Sequence, residues 1–135
     1  MSYAIAAALQ AAVFQKLTGD VTLTGLVGTD IYDALPPGTV PVLYVSLGPE
    51  DVKDRSDQTG PGAEHFFTVS VISDAAGFQT AKQVAAAISD ALHNATLTLS
   101  RGYLTGLWFY QAAARRVGNG STRRIDLKFR ARVGE

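Results

Sequence analysis

His65 and His93 are the only imidazoles in the chain, which has no cysteine. A zinc site needs about three or four nitrogen, sulfur or carboxylate ligands converging on one point. Neither histidine has a second one three or four residues away, and an extended backbone through Glu64-His65 turns those two side chains to opposite faces. His93 falls at the end of an apolar helical stretch, where the helix dipole favours a terminal imidazole. Serines are plentiful, but no G-x-S-x-G elbow occurs and no histidine is placed to complete a triad. Asp51, Asp54 and Asp57 could supply a carboxylate pair, yet their stretch is polar, with nothing apolar to keep one carboxyl protonated. Gln58-Thr59-Gly60-Pro61-Gly62 is rich in glycine but lacks the spacing and the lysine of a phosphate-binding loop. The sequons Asn94-Ala95-Thr96 and Asn119-Gly120-Ser121 carry meaning only in a secreted chain. No catalytic residue, metal site or cofactor is expected.

What remains is charge. The 135 residues carry 12 basic and 12 acidic side chains, but the two signs are separated along the chain. Residues 50–74 set Lys53 and Arg55 against Glu50, Asp51, Asp54, Asp57, Glu64 and Asp74. Residues 101–135 hold eight of the twelve basic groups against Asp126 and Glu135 alone. An acidic middle and a basic end can be complementary to a second copy of the same chain. A row of basic groups can also track phosphates without reading sequence. Against nucleic acid, Asp126 interrupts the row, no aromatic stacking platform is interleaved with it along the chain, and the pI is about 6.7.

These residues must be positioned by a core. Hydrophobic residues make up 47% and charged ones 18%, a composition that folds. The length suits one domain, 1–135. No apolar run approaches the ~20 residues of a membrane span, and Met1-Ser2 lacks the basic start of a signal peptide. Residues 3–17 place Ile5, Leu9, Ala12 and Val13 at helical spacing, with Ser2 available as a cap and Gly19 as a stop. A second helix is expected over about Gln79–His93, with Ala81, Val84, Ala85, Ile88 and Leu92 as its stripe. Residues 20–41 read as a meander containing one short extended piece near Ile31–Ala34.

Strands are expected at Val42–Leu47, Ala63–Ser73 and Leu104–Val117, with a Gly118-Asn119-Gly120-Ser121 hairpin leading into the last one. That final strand alternates Ile125, Leu127, Phe129, Ala131 and Val133 inward with Arg124, Asp126, Lys128, Arg130 and Arg132 outward. Residues 50–62 read as a mobile acidic loop. Hairpin connections rather than βαβ crossovers argue an α+β fold, an antiparallel-rich four- to five-stranded sheet with two helices packed on one face. The other face is then free to meet a partner.

Ordered patterns along essentially the whole chain carry a resemblance. They are "SYAIAAALQAAVFQKL", "LVGTDIYDALPPGTVPVLYVSLGPEDVKDRSD", "TVSVISDAAGFQTAKQVAAAISDAL" and "RRIDLKFRARV". With them the chain resembles the tail terminator (tail-completion) proteins of long-tailed phages and phage-like gene transfer agents. Twenty alanines, and eight arginines to four lysines, suit a GC-rich genome and favour a gene transfer agent or a prophage of a GC-rich bacterium.

The resemblance implies a non-enzymatic virion protein, assembled in the bacterial cytoplasm and located at the head-proximal end of the tail. There it forms a homo-hexameric ring that ends polymerisation of the major tail tube protein and joins the tail to the connector or stopper of the head. DNA passes through the lumen unread, and no membrane is involved. Our own inference adds inter-subunit or tube contacts through Asp51, Asp54, Arg55 and Asp57 on one side and Arg124, Lys128, Arg130 and Arg132 on the other. The alternative reading is a sheet-based binding module for nucleic acid or another partner through the basic C-terminal strand.

Overall fold

The computed structural model describes residues 3–33, 38, 40–56, 62–75, 77–118 and 120–135. Its helices are α1 (Ala6–Thr18), α2 (Val21–Val27) and α3 (Gln79–Leu92). Its strands are β1 (Ile31–Tyr32), β2 (Leu43–Asp54), β3 (Gly62–Ser73), β4 (Tyr103–Val117) and β5 (Thr122–Gly134). They form one sheet in the order β1-β2-β3-β5-β4. All pairings are antiparallel except the short one between β1 and β2. The α+β architecture expected from the sequence is therefore present.

Three helices pack on the sheet where two were expected. Asp20 caps the extra one, α2, its carboxylate accepting the Leu23 N–H at 2.9 Å. Leu23 and Val27, one turn apart, are its buried contacts. The helix α1 begins at Ala6 rather than Tyr3, with no side-chain cap at Ile5, and Ser2 lies outside the described residues. The stripe read for α3 is buried throughout.

The connection β3-α3-β4 is a crossover, contrary to the hairpins expected. Both strands run antiparallel to β5 and so parallel to each other, and β5 inserts between them. Placing β5 centrally explains its clean alternation, since its inward row lies under helices and between two neighbouring strands. Phe129 is fully buried, with the Phe67 ring 5.7 Å away in stacked geometry and the Phe109 ring 5.9 Å away edge-on.

The acidic stretch is mostly strand rather than loop. Glu50–Asp54 belongs to β2 and pairs with Phe67–Ala63, and the Arg55 N–H continues the ladder to the Gly62 carbonyl. What prolongs β2 beyond Leu47 is a bulge at Gly48-Pro49 that takes up the proline, which has no N–H to offer a ladder. Positions 57–61, with Asp57, Gly60 and Pro61, lie outside the described residues, as do Ala34 and Asn119.

Candidate assembly surface

With every helix on one side, the outward rows of β2, β3, β5 and β4 make an open face. Cross-strand register decides who meets whom there. Arg130 lies between Phe66 and Trp108, and its guanidinium sits 4.9 Å from the centre of the indole. The Lys53 ammonium lies 5.5 Å over Phe66, whose ring meets Tyr110 edge-on at 5.3 Å. Aromatic rings therefore do stand among the basic groups, contrary to the reading of the strand alone. They come from neighbouring strands, and only the register reveals them.

Most of the expected contact residues are tied up within the chain. Arg55 Nε donates to Glu64 at 2.9 Å, and Arg130 Nε lies 3.8 Å from the same carboxylate. Arg132 donates to the Arg55 carbonyl at 3.1 Å. Asp126 accepts from Ser70 at 2.6 Å, Arg115 at 2.6 Å and Arg124 at 2.9 Å. Burial raises the Asp126 carboxyl, but the hydrogen bonds from Ser70, Arg124 and Arg115 outweigh it and hold the group below its ordinary value. Lys128 stands half-exposed between Thr68 and Gln111. Asp51 and Asp54 are exposed on β2, and Asp54 accepts from the Ser56 hydroxyl at 2.7 Å. Asp57 lies outside the described residues. The basic row is thus neutralised in part by Asp126, which interrupts it, and by Glu64, which the sequence had grouped with the acidic middle.

Both histidines are held by contacts within the chain. His65 is fully buried on the helix side of β3, with Nδ1 3.2 Å from Glu50 and the Tyr3 ring stacked 6.4 Å away. The Glu50 carboxylate also accepts from the Tyr3 hydroxyl and raises its pKa. His93 caps the end of α3, and its Nδ1 accepts the Phe109 N–H at 3.0 Å, which anchors β4 at an irregular point of its ladder. No group of three potential metal ligands occurs among the described residues, and no helix among them is long and apolar enough to cross a membrane.

Two strand edges complete the surface. Beyond Ser46, no strand pairs with the outer side of β2 among the described residues, and none pairs with the outer side of β4. In β4 the run Phe109–Arg116 is exposed throughout. An unpaired strand edge is a template on which another chain can pair.

Residues 11–134 match the family described as tail completion protein gp17. The chain belongs to that family. It is also similar to a chain in a structure titled "Virion of native gene transfer agent (GTA) particle", with 64% sequence identity and a TM-score of 0.96. The match covers 99% of this chain and 100% of that one. Among curated proteins none matches. As a tail completion protein the chain is a structural component of the virion tail, not an enzyme.

Proposed function

We propose that the protein acts as one domain, six copies of which close into a ring on the head-proximal end of the tail tube. The ring stops addition of major tail tube protein and then binds the connector or stopper of the head, and DNA passes through its lumen without being read. The observation that carries this reading is the likeness, over nearly the whole chain, to a chain of a gene transfer agent virion. Surface charges support it, with the exposed Asp51, Asp54 and Arg55 on the β2 end and the half-exposed Arg124, Lys128, Arg130 and Arg132 on the open face meeting a neighbouring subunit or the tube; Asp57 belongs with the first group by sequence. The basic row is too far compensated by Glu64 and Asp126 to favour nucleic acid binding as its main task. Deleting the gene and imaging the particles tests the proposal. Separate capsids and tails of uncontrolled length are expected, and joined particles of normal length would overturn it.

A further inference from the structure

We propose that the outer edge of β4 in one copy pairs antiparallel with the outer edge of β2 in the next, Arg116 opposite Glu50 and Arg115 opposite Asp51. The inference rests on the ring reading and names the seam by which that ring closes. A ring needs a heterologous contact, one surface of each copy against a different surface of its neighbour. The two edges of this sheet are such a pair. They run in opposite directions, so a second copy set beside β4 with its helices on the same side presents β2 in antiparallel orientation.

Register follows from three observations. First, each edge has a regular run that begins at an irregularity. In β2 the ladder shifts between Leu47 and Glu50 and is regular from Glu50 onward. In β4 it shifts between Phe109 and Gln111 and is regular from there to Val117. Second, residues opposite one another in a ladder share a face. Glu50 and Val52 stand on the helix side of β2, as Ala114 and Arg116 do on β4. Asp51 and Lys53 stand on the open side, as Ala113 and Arg115 do. Pairing Glu50 with Arg116 therefore joins opposite charges on both faces at once, and it sets Val52 against Ala114 and Lys53 against Ala113.

Third, among the described residues β1 covers β2 only at Val45 and Ser46, which in this register lie beyond the end of β4, so no described strand has to move.

The same register staggers successive copies. Within one copy Glu50 lies on a level with Phe109 through Phe67 and Phe129, whereas across the seam it meets Arg116. That offset across four strands tilts them by roughly 50° to the ring axis, close to the tilt of about 35–45° that closed sheets adopt.

The absence of cysteine makes the seam directly testable. Opposed residues of an antiparallel pair have Cα atoms about 4.5–5.5 Å apart, within reach of a disulfide. Val52→Cys with Ala114→Cys in one chain, oxidised in the purified oligomer and in assembled particles, should give a ladder of covalent multimers. Single-cysteine variants mixed together should join only Val52→Cys to Ala114→Cys. Val52→Cys with Ala113→Cys, on opposite faces, should stay uncrosslinked. If Val52→Cys impairs folding, Asp51→Cys with Arg115→Cys reads the same register from the open side. Oligomers of normal mass by light scattering without these crosslinks would overturn the seam and leave the ring reading standing. Crosslinks between two Ala114→Cys chains would overturn it in favour of a two-fold β4 contact. A chain that is monomeric in solution and in particles would overturn both.

Discussion

Phe129 and Lys128 are adjacent in the chain and opposite in the fold. Phe129→Ala removes a fully buried ring from between Phe67 and Phe109 and should cost about 3–5 kcal/mol. Lys128→Ala should stay within about 0.5 kcal/mol, and urea melts of the two variants compare them directly. Asp126 gives a second residue-scale test. Its folded pKa is lowered, so its stabilising contribution is fully present above the unfolded carboxylate value of about 3.9 and is lost as pH falls through the folded value. Stability should therefore drop on acidification through that window, and Asp126→Asn should show a shallower drop from a lower starting point. Period two made Phe129 legible in the sequence. The partners of Asp126 were not, because Ser70 and Arg115 reach it from β3 and β4, and a strand read alone shows its own faces but not its neighbours.

Elements were legible where one buried stripe dominates, as in α3 and β5. The helix α2 escaped because its seven residues include two threonines and a glycine, all weak helix formers, and only Leu23 and Val27 are buried. The Asp20 cap is then a large share of what holds it, and Asp20→Ala should cost about 1 kcal/mol, read from thermal unfolding. The extension of β2 escaped because the bulge at Gly48-Pro49 breaks the alternation that announces a strand. In β4 the indole of Trp108 lies over Gly106, so closely that a Cβ there would overlap the ring. Gly106→Ala should push Trp108 off its seat and away from Arg130. Trp108 is the only tryptophan, so its fluorescence reports the change without interference. An unshifted emission maximum would refute the account.

At the scale of the molecule, Glu64 joins the acidic middle to the basic end through Arg130, while Arg55 with Glu64 and Asp126 with Arg124 and Arg115 pair within their own stretches. Surface charge should therefore govern encounter between copies more than their lifetime together. Raising salt to about 1 M, where screening reaches only about 3 Å, should slow assembly followed by light scattering while changing dissociation little. The helix-packed sheet was legible as a whole, because it needed only the order and period of the elements. Its edges were not, since nothing local says which strand is outermost. The irregularities in β2 and β4 have a consequence of their own. The shift at Leu47/Glu50 in β2 and the one at Phe109/Gln111 in β4 adjoin the level of Glu50, Phe67, Phe129 and Phe109, so the two outer strands bend at one level. The Phe67, Phe129 and Phe109 rings fill the helix side of the sheet at that level, so the bend of the outer strands will hold only as well as those rings are packed.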